Sequence, residues 1–175
     1  MNKANFTLLI VVFSILVLLP AKGLAYFTTD QTATRLSKDT VLYTVTYEFG
    51  FQKREVYLPI GAIRGNGETN TSPYLTYTIF DNKKPTEVGK AAGFVFSTDP
   101  DVEIVDNQYH LPVNTAAKFT LFTLLTIPKE TQDEKLDLSL QVTGLPFTMV
   151  QDGAKMPNHL NPSELQYYHT PVVEL

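Results

Sequence analysis

Val41-Leu42-Tyr43-Thr44-Val45-Thr46-Tyr47-Glu48-Phe49-Gly50-Phe51 carries an apolar side chain at every odd position, with Thr44, Thr46 and Glu48 between them. A period of two puts alternate residues on one face of an extended chain, so this stretch is a strand with one buried and one wetter face. The same period recurs downstream. Arg54 to Ile60 sets Val56, Leu58 and Ile60 against Glu55, Tyr57 and Pro59. Lys118 to Ile127 sets Phe119, Leu121, Thr123, Leu125 and Ile127 against Phe122 and Leu124. Thr131-Gln132-Asp133-Glu134 has the form of a helix capping box. The residues after it decide for a strand, because Leu136, Leu138, Leu140 and Val142 alternate strictly with Lys135, Asp137, Ser139 and Gln141.

Shorter segments fill in the pattern. Tyr74 to Phe80 is aromatic and β-branched on both faces and predicts a central strand; Gly93 to Ser97, Val102 to Val105 and Leu145 to Val150 predict three short ones. Gly65-Asn66-Gly67 reads as a hairpin turn and Asp81 to Pro85 as another turn. Strands at this spacing, joined by Gly, Pro, Asn and Asp, predict an all-β domain of about eight strands. The expected architecture is a two-sheet antiparallel sandwich, with an immunoglobulin-like Greek key as its commonest topology. The chain has neither the Cys nor the Trp of a true immunoglobulin core, so the expectation concerns architecture and not family. Near the end, Asn161-Pro162-Ser163-Glu164 reads as the cap and first turn of a two-turn helix through Tyr168. Val172 to Leu175 then returns as a short strand or frays.

The N-terminus is of another kind. Lys3 precedes a 14-residue run, Phe6 to Leu19, that is apolar apart from Thr7 and Ser14. As a helix it would span roughly 21 Å, short of the about 30 Å of a bilayer core. Pro20 interrupts it, and Gly23 and Ala25 supply small residues for a cleavage site. These are the parts of a secretory signal peptide. The expected organisation is a signal peptide over residues 1–25, a sandwich over 26–150, and a C-terminal extension over 151–175 that packs on the domain or stays partly flexible. The expected location is secreted or extracytoplasmic, with membrane contact only through the signal.

Cleavage after Ala25 removes Lys3 and Lys22 and no acid, which takes the net charge from −4 to −6. An acidic domain without a basic cluster is unsuited to nucleic acid. There is no cysteine, which excludes a disulfide scaffold, thiolate metal sites, a cysteine nucleophile and a lipid anchored on cysteine. No Gly-x-Ser-x-Gly elbow, His-Glu-x-x-His helix or phosphate-binding loop occurs. No cofactor is expected, and the chain reads as a non-catalytic binding or adhesion module for a protein or carbohydrate at the cell surface. Two alternatives stand beside it. One is a subunit of a surface fibre that adds its terminal segments, Tyr26 to Leu36 and Pro171 to Leu175, to a neighbour's sheet edge. The other is a small secreted hydrolase whose carboxylates meet only in space.

Asp99, Asp101 and Glu103 are the one metal candidate. On an extended chain they share a face, and three carboxylates there offer calcium its preferred hard oxygens. The plainer reading is the charged face of an edge strand that discourages aggregation. His110, His159 and His169 are too scattered for a metal motif and read as surface residues. The nine Tyr and eleven Phe mostly occupy the alternating positions of a core, although exposed tyrosines could stack on sugars. The signal-peptide reading predicts that the exported protein begins Tyr26-Phe27-Thr28. Mass spectrometry of its N-terminus checks this, and an intact Met1 on exported protein contradicts it.

Overall fold

The computed structural model describes residues 24–65, 72–131 and 135–175; the apolar leader therefore lies outside the described residues, apart from Leu24 and Ala25. Strands β1 (Leu24–Arg35) and β2 (Thr40–Phe51) form a long antiparallel pair. β3 (Glu55–Pro59) and β4 (Gly61–Arg64) follow with only Ile60 between them. Next come β5 (Leu75–Asp81), β6 (Lys84–Pro85), β7 (Lys90–Phe96), β8 (Glu103–Val105) and β9 (Gln108–Leu111). β10 (Ala116–Thr126), β11 (Asp137–Gln151), β12 (Ala154–Leu160) and β13 (Val173–Glu174) complete the set. The strands run in the order β1-β2-β10-β7-β4-β5-β11-β3-β9-β8, with β12 and β13 also on β11 and β6 on β5.

The fold is all-β and sandwich-like. The inner face of β2 and β10 packs on β9, β11 and the C-terminal segment: Phe49 and Phe51 meet Phe147, Tyr109 meets Phe119, and Tyr47 meets Tyr168, all with ring centroids 5.1–5.9 Å apart. Tyr109 also donates its buried hydroxyl to the Val95 carbonyl at 3.0 Å, tying β9 to β7 across the core. The alternation read from the sequence matches burial. Val41, Tyr43, Val45, Tyr47 and Phe49 are buried, as are Phe119, Leu121, Leu125, Leu138 and Leu140.

The structure departs from the sequence expectations at several points. Thirteen strands are found among the described residues and not eight: β1 and β12 lie in segments not expected as strands of the sandwich, and β6 and β9 are too short to show a period. The ladders are not all antiparallel: β4 runs parallel to β5. Asn66 and Gly67 of the expected hairpin turn lie outside the described residues. The single strand expected over Arg54 to Ile60 is split at Ile60, where the chain leaves β9 and β11 as neighbours of β3 and takes β5 and β7 as neighbours of β4. Finally, no two-turn helix forms after Asn161. The capping chemistry is present, with the Glu164 carboxylate accepting from the Asn161 backbone N–H at 2.9 Å, but only one turn follows. Leu165 and Tyr168 are drawn into the core.

The segment expected as two strands, Leu136–Val142 and Leu145–Val150, is one fifteen-residue strand, β11. Its buried residues are Leu138, Leu140 and Val142 in the first half and Leu145, Phe147 and Met149 in the second. The parity changes from even to odd across a bulge at Thr143, where the register with β5 shifts. Gly144 is required there: a Cβ would lie 2.6 Å from Thr76 Oγ1 and 2.8 Å from the His159 ring. Beyond the bulge β11 pairs with β12 through an Asp152-Gly153 turn, both residues at positive φ, the sequence favoured in a two-residue hairpin. Residues 151–175 are thus tied into the sheet, with β13 pairing on Asp137 and Leu138.

These placements give unequal sensitivities. Leu138→Ala should cost about 2–5 kcal/mol, and Gly144→Ala about 1–3 kcal/mol through overpacking. Lys135→Ala, at an exposed position, should stay within about 0.5 kcal/mol. Denaturant melts of the three variants check the ranking; equal losses at Leu138 and Lys135 would contradict the register.

Candidate functional site

The outer face of β2, β10, β7 and β4 holds the largest exposed aromatic group. Register places Thr44, Phe122, Phe94 and Gly61 in one row, and Thr46, Thr120 and Phe96 in the next. Phe94 stacks on Phe122 with centroids 5.4 Å apart, and Phe96 meets Phe122 edge-on at 6.5 Å. Phe94 is 54% exposed and Phe96 47%, with Leu124 and Ile63 also exposed nearby. The threonine hydroxyls of the face satisfy one another, Thr46 with Thr120 at 3.0 Å and Thr32 with Thr44 at 2.7 Å. The rings that dominate this part of the face carry no polar group.

The outer face of β8, β9 and β3 is different. Glu103 lies opposite His110, and His110 opposite Tyr57. The His110 and Tyr57 rings stack at 4.8 Å, and His110 Nε2 sits 3.5 Å from the Glu55 carboxylate. Lys155 Nζ, from β12 on the other side of β3, lies 5.0 Å from the Tyr57 ring centroid. Both sides of that ring are thus in use, and Tyr57 offers no open face to a sugar. Partial burial and the Glu55 and Asp106 charges raise its phenol above the ordinary range.

Asp99, Asp101 and Glu103 do not share a strand face. Asp99 turns the chain, its carboxylate accepting the Asp101 N–H at 3.1 Å and its carbonyl the Val102 N–H at 3.2 Å. Only Glu103 enters β8. Pro100 between the two aspartates favours this turn over the extended backbone that the calcium reading assumed. Among the described residues no group of three His, Asp or Glu side chains is close enough to hold a metal ion. The pocket between β3, β11 and β12 is lined by Pro59, Pro146, Phe147, Pro157, Gln108 and Asn158, among others, none of them ionisable.

His159 was expected at the surface and is instead half-buried, against the bulge. Both ring nitrogens are shielded and have no hydrogen-bond partner. Nothing in its own sequence neighbourhood announces this, because the shielding comes from Gly144 and Thr76 on other strands. Inside the core, Arg64 donates to the carbonyls of Thr86, Val88 and Gly89 and pairs with Glu87 at 3.5 Å. It fixes the connection from β6 to β7 and hence the position of the phenylalanine-bearing strand.

No family model matches the chain, and no curated protein matches it in sequence. Among solved structures, a yeast GGA1 GAE domain aligns with 78% of this chain and 97% of its own at 6% identity, with a TM-score of 0.28. A likeness of that size carries no argument about this chain.

Burial disfavours the His159 imidazolium and lowers its pKa below the ordinary value, the Glu164 charge opposing this only in part. The unfolded chain therefore binds the proton more readily than the folded one, and stability falls as pH drops from about 6.5 through the depressed folded value. His159→Gln should remove this component. Thermal melts at pH 7 and pH 5 check it: the midpoint difference should be smaller in the variant, and an unchanged difference contradicts the assignment.

Proposed function

We propose that the protein is exported and acts outside the cytoplasm by binding, its sandwich serving as a rigid immunoglobulin-like scaffold that displays one sheet face to a partner. The observation that carries this reading is the Phe94–Phe122–Phe96 cluster. Large rings left half-exposed on a strand face lose the free energy that burial would give, at about 25 cal/mol per Å². Contiguous apolar patches rimmed by polar residues are characteristic of interaction surfaces. An apolar protein surface suits this face better than a sugar does, since the rings that dominate it carry no hydrogen-bonding group. A hydrolytic reading has less support. The pocket beside β3 has no titratable lining.

The test is a cell fractionation. Wild-type protein should appear outside the cytoplasm and sediment with the cell envelope. Phe94→Ser/Phe96→Ser, at surface positions that leave the core intact, should melt within a few degrees of wild type and move to the soluble extracytoplasmic fraction. Unchanged sedimentation of the double variant would sink the role of this face, and recovery of wild type in the cytoplasm would sink the export reading.

A further inference from the structure

The free edges of this sheet are guarded unequally. β8 has three residues, with Asp99, Asp101 and Asp106 around it and Glu103 within it. β12 carries Lys155 and Pro157, and β6 and β13 have two residues each. Shortness, charge, lysine and proline are the usual means by which an edge avoids pairing with another chain. β1 has almost none of them. It is twelve residues long, ends the strand order, and pairs with β2 alone; β13 comes near it but forms no ladder with it. Its one irregularity is the bulge at Thr29, after which Asp30 to Arg35 run in unbroken register, with neither Lys nor Pro.

We propose that β1 pairs antiparallel with β1 of a second copy, across a two-fold axis centred on Thr32. The edge is complementary to itself. A two-fold antiparallel pair sets residues before the centre against residues after it, so the two ends of β1 meet in reverse. Phe27, 48% exposed, lies near one end, and Leu36, 55% exposed, directly follows Arg35 at the other. Phe27 is five residues before Thr32 and Leu36 four after, so each falls beside the other from the second copy. The Thr29 bulge brings Phe27 into register with Glu48 on the outer face, the face that Leu36 shares by alternation. Asp30 then lies opposite Thr34 and not opposite another acid, and the Thr32–Thr44 pair continues across the axis as a four-threonine row. Threonine pairs across strands are favourable, whereas like charges opposed are not. Cleavage after Ala25 would remove only Leu24 and Ala25 from the strand and leave the paired stretch whole.

The inference does not rest on the phenylalanine face, from which β1 is separated by β2 and β10. Its test uses the absence of cysteine from the chain. The exported protein at about 100 µM should have twice the mass of one chain by light scattering. Thr32→Cys should form a disulfide-linked dimer under mild oxidation, because residues opposed across an antiparallel pair are about 4.5–5.5 Å apart at Cα, within disulfide reach. Thr120→Cys, on the same face but in the inner strand β10, should not. Thr34→Lys/Leu36→Lys, two exposed positions, should melt as wild type does and run as a single chain. Phe94→Ser/Phe96→Ser should leave the mass doubled, which separates this proposal from the partner-binding one. Wild type at the mass of one chain, crosslinking at Thr120 as efficient as at Thr32, or a dimer that survives the two lysines would each overturn it.

Discussion

β11 belongs to two sets of neighbours at once, and the bulge at Thr143–Gly144 is what allows it. Before the bulge it pairs with β5 and β13, and after it with β3 and β12. A regular strand of fifteen residues would keep one parity throughout and turn its second apolar set, Leu145, Phe147 and Met149, away from the core. One extra residue reverses that parity, so both halves bury their apolar side chains. The close approach of His159 and Thr76 follows from the same local geometry, and so does the need for glycine. The rest of the layering depends on this strand, because Phe147 is the residue against which Phe49 and Phe51 of the opposite layer pack.

The core is unusually rich in tyrosine. Tyr43, Tyr47 and Tyr77 are almost wholly buried, and burial raises each phenol above its ordinary range. Burial thus favours the neutral phenol, and the rings act as apolar volume with a dipole at the tip. Arg64 is set near two of them, and its charge favours ionisation of Tyr43 and Tyr77 without outweighing burial. Its own charge is compensated elsewhere, by the three carbonyls of the loop it gathers. The layers are held by apolar contact, while this one cation positions the loop that starts β7.

How much of this was legible in the sequence can be traced residue by residue. β2 and β10 were readable because each is long, half-buried and free of bulges, so that period two survives over eleven or twelve residues. β11 was readable in halves only, since the bulge cancels its period at the centre. β8 was readable within Val102 to Val105 and β13 within Val172 to Leu175, whereas the two-residue β6 falls below the length at which any period exists. The turns held a signal that was not used in full: Asp152-Gly153 closes a hairpin, and Asp106-Asn107, also at positive φ, closes another between β8 and β9. The calcium candidate failed on its premise of an extended backbone, because Asp99 bonds the amide two residues on, as aspartates before turns do. The phenylalanine face was half visible. Phe122 and Leu124 stand on the wrong parity of an otherwise buried strand, but that Phe94 and Phe96 would lie beside them is a fact of strand order, which the sequence does not encode locally.

That face and the β1 edge illustrate how one sheet can carry two kinds of exposure. On the face, side chains are exposed while β10 from Thr120 to Thr126 lies between β2 and β7 with a ladder on each side; side-chain chemistry is what that stretch offers, and its exposed rings are apolar. On the β1 edge the position is reversed. From Thr28 to Thr34 the side chains are small or polar, while the outward backbone groups of a twelve-residue strand have no ladder partner among the described residues. In water such groups are satisfied by solvent, so the edge costs the monomer little. It gains from pairing only when the incoming strand supplies many bonds in register, which favours a long, regular, matching strand over a short one. Among the described residues, the long strand with such a free edge is β1 itself.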